Sequence, residues 1–145
     1  MQLKDKMNIH IHDQIEPHSA LITNGEYRIG HFVMRNKDKT TEENEDSLFI
    51  CGDEDHFIFG VADGAGGHPR GRDASFEISK FLSESKDVYP LDMIEKANQK
   101  VVDLKVGARS TLAMAHVNNS SIQFFSVGDS EAIYWNAAGS EIFTT

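Results

Sequence analysis

The sequence predicts an α+β domain, and three observations lead to that fold class. Apolar strand patterns come in two runs, two helical patterns lie between these runs, and strand and helix do not alternate along the chain. This order favours antiparallel strands packed against helices over a βαβ repeat. The chain has 145 residues, which suffices for one domain with its own core.

Three strands are predicted before the helices. Residues 27–34 show an imperfect alternation of apolar and polar side chains, and residues 47–51 and 56–62 are largely apolar. The acidic, glycine-containing stretch 52–55 between the last two strands has the composition of a turn. These strands form the first part of the predicted sheet structure.

Two polar stretches lie on either side of the first of these strands. Residues 1–19 contain three histidines, and we expect them to form a loose tail or an edge strand, with the domain itself in residues 20–145. Residues 35–45 are charged and aperiodic, so they are expected to form an exposed loop.

Two helices are predicted in the middle of the chain. Apolar residues recur at i, i+4, i+7 and i+8 from Ala74 to Leu82, which gives the first helix one apolar stripe. Pro90 separates it from a second helix over residues 91–104, whose apolar residues also recur at helical spacing. Each helix is therefore expected to pack one face against a sheet.

Three further strands are predicted after the helices. They cover residues 110–117, 121–127 and 131–135, which are rich in apolar and β-branched side chains. The polar stretch 118–120 forms a tight connection between the first two. Sheet structure is therefore expected on both sides of the helical segment.

The composition argues against several classes of protein. The formal net charge is −9, whereas non-specific binding of nucleic acid needs a basic face. Cys51 is the single cysteine, so no internal disulfide can form. No apolar stretch approaches the roughly 18 residues that span a membrane, and no apolar segment follows the charged N-terminus, so we expect a cytoplasmic protein that does not bind membranes.

The most informative motif lies where the strand 56–62 ends. An apolar run stops at Asp63, and Gly64 opens a glycine-rich turn. A glycine at this position allows positive φ and lets a main-chain carbonyl approach a ligand, and oxygen donors suit a hard cation such as Mg²⁺ or Mn²⁺. Asp-Gly alone is more often a plain turn. The longer pattern from Gly60 to His68, followed by a helix, favours the functional interpretation.

Two other kinds of glycine-rich loop do not fit this segment. A dinucleotide-binding fingerprint would need glycine where Pro69 stands, counting from Gly64 and Gly66. A phosphate-binding P-loop needs Gly-Lys followed by Ser or Thr, and neither lysine nor serine directly follows these glycines.

Two more acidic motifs lie at strand ends. Asp46 immediately precedes a predicted strand, where it is expected to face Asp63 across neighbouring strands, and Glu45 lies beside it. Asp129 stands in Val-Gly-Asp-Ser between two later strands. Each motif also fits a solvated acidic turn, because exposed carboxylates are the norm.

Together these motifs resemble those of the metal-dependent protein serine/threonine phosphatases of the PPM/PP2C family, in bacterial style. The resemblance rests on residues 44–47, 57–68 and 127–130, and on a Gly-x-x-Ser-Thr stretch in residues 107–113. It implies a PP2C-like layered α/β/β/α sandwich of antiparallel sheets with flanking helices. It covers residues 27–145, which match the N-terminal part of a family domain, so we expect a fold that is incomplete at the C-terminus.

The resemblance also implies roles for individual residues. Asp46 and Asp63 would bridge two Mg²⁺ or Mn²⁺ ions, with the carbonyl of Gly64 as a further ligand. Glu45 would bind through a water molecule, and Asp129 would help to hold a third ion.

The implied activity is hydrolysis of phosphoserine or phosphothreonine in proteins by a water that the dinuclear metal site activates, as part of cytoplasmic signalling. The substrate would be a phosphorylated protein. The alternative is a noncatalytic fragment or pseudophosphatase that binds a phosphoprotein or another protein partner. A third possibility is a small structural domain whose turns match the family by coincidence. This possibility does not account for three motifs that occur in the family's order.

Two side chains are candidates for contact with the substrate. His68, after the glycine turn, is a candidate acid for the leaving group. The family's phosphate-clamping arginine has no exact counterpart, and Arg35 is the candidate within reach. The pair His10 and His12 has the spacing of metal ligands on a strand, but no acidic partner follows at useful spacing and a solvated tail is the favoured interpretation.

Overall fold

The computed structural model describes residues 7–37, 43–66, 70–85, 89–119 and 121–143. Within these ranges the chain forms an α+β fold of strands and helices in the following order: β1 (Met7–His12), β2 (His18–Asn24), β3 (Tyr27–Val33), β4 (Asp46–Gly52), β5 (His56–Asp63), α1 (Gly71–Glu84), α2 (Pro90–Asp103), β6 (Leu112–Asn118), β7 (Ser121–Val127), β8 (Ala132–Asn136) and β9 (Gly139–Phe143).

The central element is a five-stranded sheet in the order β1-β4-β5-β6-β7. Every neighbouring pair in it is antiparallel. The apolar runs of β4 and β5 lie in the middle, where both faces of a sheet are covered, which explains why these runs hardly alternate. The predicted antiparallel α+β class is therefore confirmed.

Both helices cover one face of this sheet. Phe49, Ile58 and Met114 of the sheet pack with Leu82 of α1 and Met93 of α2 in the main core. Helix α2 begins at Pro90, which fits the first helical position because the missing N–H has no intrahelical partner there. The proline expected to separate the helices is thus the first residue of the second one.

The opposite face of the sheet carries two antiparallel hairpins. The β2–β3 hairpin packs over β1 and β4 in a smaller core that includes Val33, Leu48 and Ile50. The β8–β9 hairpin follows β7. Between the hairpins lies a largely apolar groove of about 390 Å³, lined among others by Phe32, Val61 and Ile133.

Strand positions agree with the sequence prediction except in two places. The strands predicted over residues 27–34, 47–51 and 56–62 correspond to β3, β4 and β5. Strand β2 begins within the last two residues of the predicted tail and ends before the first predicted strand, and β9 follows the last predicted strand; neither was predicted. Strand β1, from the predicted tail, lies at an edge of the central sheet.

Residues 35–37 and 43–45 of the predicted exposed loop contain no regular secondary structure, and residues 38–42 of that loop lie outside the described ranges. Across the described ranges, no helix is long and apolar enough to cross a bilayer.

Candidate active site

Asp46 and Asp63 lie directly opposite each other on neighbouring strands. Asp46 begins β4, Asp63 ends β5, and the two residues are partners in the antiparallel register. Partners in a ladder project to the same face, with Cβ atoms about 4.5–5.5 Å apart. The prediction that these aspartates face each other is therefore confirmed. Two like charges in this position repel each other unless a cation or a proton intervenes.

A buried asparagine fixes the start of β4. Asn44 is buried, and its Oδ1 accepts a hydrogen bond from the Asp46 N–H at 3.0 Å. Its Nδ2 donates to the carbonyl of Gln14 at 2.9 Å. This side chain turns the backbone so that Asp46 enters the strand with a set orientation.

The end of β5 is held by the segment that leads into β6. The Asp63 carbonyl accepts hydrogen bonds from the Thr111 N–H at 2.8 Å and from the Ser110 hydroxyl at 2.9 Å. The Asp63 N–H in turn donates to Thr111 Oγ1 at 3.4 Å. The backbone of Asp63 is thus anchored on both sides while its side chain remains exposed.

Gly64 is required by close packing. A Cβ at Gly64 would lie 2.3 Å from the Gly71 carbonyl oxygen and 2.9 Å from that of Glu45. Gly64 is absent from the described glycines with positive φ, so the left-handed conformation allowed by the sequence is not the reason. The Gly64 N–H donates a hydrogen bond to the Glu45 carbonyl at 3.0 Å. This bond does not use the Gly64 carbonyl, which is the predicted metal ligand.

Helix α1 is hydrogen-bonded to the backbone next to Asp46. The Ser75 hydroxyl donates to the Glu45 carbonyl at 2.5 Å, and the Ser47 hydroxyl donates to Ser75 Oγ at 3.3 Å. Ser75 and Ser47 are both buried. The first turns of α1 therefore position the Glu45–Asp46 pair, a role that sequence reasoning did not assign to Ser75.

The two aspartates border a groove of about 370 Å³ on the hairpin side of the sheet. Its lining is otherwise mainly apolar and comes from β3, β4 and β5: Phe32, Val33, Met34, Ser47, Leu48, Val61 and Ala62. Both aspartates are exposed at the edge of this groove, so a cation can reach them from solvent.

Asp129 lies in the turn between β7 and β8, and Ser130 beside it links that turn to Asp63 through Thr111. Thr111 Oγ1 and Ser130 Oγ are 2.5 Å apart, and Thr111 also receives the Asp63 N–H. Gly128 has φ +90°, and a Cβ there would come within 3.0 Å of the Thr111 side chain. Thr111, to which the sequence assigned no chemistry, therefore connects two of the acidic motifs; the Gly-x-x-Ser-Thr stretch was its only signal.

The remaining candidates are placed less closely. Glu45 is half-buried beside Asp46, and its carbonyl is used by Gly64 and Ser75. Arg35 directly follows Met34, which lines the groove with the two aspartates. His68 lies outside the described residues.

The donor set suits a hard cation but is incomplete as a cage. In the described part of the chain, no group of three or more His, Cys, Asp or Glu side chains is placed to hold a metal ion. Two opposed carboxylates and a glycine carbonyl at a strand end are nevertheless all oxygen donors, which Mg²⁺ and Mn²⁺ prefer. These residues fit a divalent ion that takes its other ligands from water or from additional protein groups.

Comparison with known proteins supports the fold. The chain is similar to the serine-threonine phosphatase 2C from Toxoplasma gondii, with a TM-score of 0.52, 16% sequence identity and coverage of 97% of this chain. The match covers 53% of the phosphatase chain, so the present chain spans about half of that length. No family model and no curated protein matches the sequence. The PP2C-like fold that the motifs predicted is thereby confirmed.

Proposed function

We propose that this chain carries the first metal-binding motifs of a metal-dependent protein phosphatase that hydrolyses phosphoserine and phosphothreonine. The observation that supports this proposal most directly is the opposed pair Asp46 and Asp63 beside Gly64. The pair lies at one edge of the central strands β4 and β5 in a PP2C-like fold. The phosphatase domain is proposed to occupy residues 20–145 of this sequence, with β1 of the preceding segment added to its central sheet as an edge strand. It would form the N-terminal part of a bacterial-style catalytic domain in the cytoplasm.

The proposed metal ligands are the two aspartates and the Gly64 carbonyl. Glu45 would act through water, and Asp129 would help to hold a further ion from the β7–β8 turn. A bound Mg²⁺ or Mn²⁺ lowers the pKa of a water molecule and offsets negative charge on the transferring phosphoryl group. Without a cation, the two carboxylates would repel a phosphate dianion, so phosphate binding depends on metal loading.

The protein's own groups set the geometry of the reaction. Hydrogen bonds to the backbone of Asp63 and to the N–H of Asp46 keep both carboxylates on one face of the sheet. In the proposed hydrolysis, a water oxygen forms a bond to phosphorus and the bond from phosphorus to the serine or threonine oxygen breaks. One water proton stays on the phosphate product, and the other replaces the proton given to the leaving oxygen. That oxygen leaves with a proton, for which His68 is the candidate donor, and Arg35 is the candidate contact to the phosphate.

The proposal is tested by hydrolysis of p-nitrophenyl phosphate and of a phosphothreonine peptide by this chain. We expect turnover with Mn²⁺, no turnover with chelator, and a loss of at least about 100-fold in Asp63→Asn, because that change removes one of the two proposed bridging carboxylates. Asp103→Asn at the end of α2 is the matched control and should retain full activity.

A folded wild-type chain without Mn²⁺-dependent turnover would contradict the catalytic proposal for this chain. Binding of the phosphopeptide by that inactive protein would then favour a noncatalytic module. Equal activity in Asp63→Asn and wild type would contradict the assignment of the site.

A further inference from the structure

Two histidines meet on the inner face of the β2–β3 hairpin. His31 Nε2 and His18 Nδ1 are 3.3 Å apart, and the rings lie with their centroids 5.3 Å apart at an interplanar angle of 15°. His18 is the register partner of Val33, and His31 is the partner of Ala20. The two imidazoles therefore come from rungs two apart on the same face of neighbouring strands, and the residues are 13 positions apart in the chain.

The hairpin presents these rings to the central sheet. Val33 and Ile29, at alternate positions with His31 along β3, pack into the smaller core. His31 itself lines the groove between the hairpins, and both histidines are half-buried. The pair is thus shielded from bulk water on the hairpin side and accessible through the groove.

Hydrogen bonding alone explains this pair poorly. A separation of 3.3 Å is long for a hydrogen bond from a ring N–H, for which about 2.9–3.0 Å is usual. The two facing nitrogens are therefore further apart than a hydrogen bond between them requires.

The spacing of the two facing nitrogens suits one metal ion. With metal–nitrogen bonds of about 2.0–2.1 Å and tetrahedral angles, two ligand nitrogens lie about 3.3 Å apart. We propose that His18 Nδ1 and His31 Nε2 bind a divalent transition metal of the Zn²⁺ type, with water completing the coordination. Imidazole selects such ions, whereas the carboxylates of Asp46 and Asp63 select Mg²⁺ or Mn²⁺.

This site would join β2 to β3 through side chains. The histidines are neither partners of the aspartates nor part of the lining of the groove around them. The site therefore does not depend on the proposed phosphatase chemistry. Metal binding to the folded hairpin should raise the stability of the folded chain, since the unfolded chain does not hold the two rings together.

Histidines elsewhere in the chain offer a comparison. His10 and His12 have ring centroids 5.2 Å apart, but His10 Nε2 is engaged with Ser79 Oγ at 2.8 Å. His56 is exposed and lies against Asp53 and Asn119. His56→Gln is therefore a control that removes an imidazole without touching the hairpin pair.

The test is calorimetric titration of the chelator-treated full chain with Zn²⁺, in excess Mg²⁺ to occupy oxygen sites. We expect one Zn²⁺ bound per chain and at least about tenfold weaker binding in both His18→Gln and His31→Gln. His56→Gln and Asp63→Asn should bind as the wild type does. The melting temperature should rise with Zn²⁺ in the wild type and not in His18→Gln.

Three results would overturn the proposal. The first is wild-type Zn²⁺ affinity equal to that of the His18→Gln/His31→Gln double variant. The second is loss of binding in Asp63→Asn while both histidine variants bind normally, which would place Zn²⁺ at the carboxylates. The third is loss of binding in His10→Gln/His12→Gln with normal binding in the hairpin variants. Circular dichroism establishes whether each variant is folded. If only one of His18→Gln and His31→Gln is folded, that variant alone tests the proposal.

Discussion

At the scale of single residues, Gly64 shows how tightly the backbone beside Asp46 and Asp63 is packed. A methyl group there would meet the Gly71 carbonyl at 2.3 Å, and backbone atoms cannot move aside as a flexible side chain can. We expect Gly64→Ala to lower the free energy of unfolding by about 1–3 kcal/mol and to abolish Mn²⁺-dependent turnover. The control is Gly30→Ala, because the nearest atom to a Cβ at Gly30 is 4.0 Å away.

Urea unfolding of the two glycine variants measures this difference. Equal stability of Gly64→Ala and Gly30→Ala would contradict the packing argument, since only one of the two positions lacks room for a methyl group.

His10 links one edge strand to α1 and makes stability depend on pH. Its pKa is lowered mainly by burial and then by His12; Glu84 raises the pKa and Lys80 lowers it. Its ring contacts Ser79 and stacks near Phe76. The folded chain therefore holds fewer protons at His10 than the unfolded chain does between the folded pKa and the ordinary value of 6.5.

Stability should accordingly fall as the pH drops below 6.5 and level off below the folded pKa of His10. We expect His10→Gln to flatten this dependence and His56→Gln to leave it unchanged. Free energies of unfolding in urea, measured between about pH 7.5 and 5, test the difference. An identical slope in His10→Gln and the wild type would show that other groups cause the pH dependence.

At the scale of elements, α1 serves both the core and the site. Leu82 near its end is fully buried against the sheet, and Ser75 near its start donates to the Glu45 carbonyl. Packing of the apolar stripe therefore also determines where the first turns of the helix lie. Loss of core contacts in α1 should weaken the site without any change in the site itself.

Leu82→Ala tests this coupling. We expect the free energy of unfolding to fall by about 2–5 kcal/mol, because the change leaves a cavity in the main core. Leu91→Ala in α2 is the matched control, because Leu91 is 69% exposed and should change stability by less than about 0.5 kcal/mol. Thermal or urea unfolding of both variants gives the comparison, and similar losses in the two would contradict the assigned packing.

At the scale of the whole molecule, the sequence predicted the strands at the centre of the main sheet and missed one strand in each hairpin. The apolar runs of β4 and β5 lie at the centre of the sheet, and their ends place Asp46 opposite Asp63. Strand β2 is mostly exposed and β9 is short. Each strand is formed by pairing with its neighbour in a hairpin, and no local sequence pattern reveals that pairing. The contacts of Thr111 with Asp63 and Ser130 join residues distant in sequence, and only the folded chain brings them together.

The face that carries the two hairpins leads to the last prediction. Phe32 and Ile133 border the groove between the hairpins and are 64% and 61% exposed, and Trp135 on β8 is 80% exposed. Contiguous exposed apolar surface favours association in water. We expect this chain to self-associate as its concentration rises, with light scattering after size-exclusion chromatography reporting the mass.

The double variant Phe32→Ser/Ile133→Ser should shift that association to higher concentration by at least about tenfold, because it removes apolar surface from both walls of the groove. Leu91→Ser is the control, since Leu91 is equally exposed but lies on α2, on the other side of the sheet. A wild-type chain that remains monomeric throughout, or a Leu91→Ser variant that dissociates as readily as the double variant, would show that the groove does not drive association.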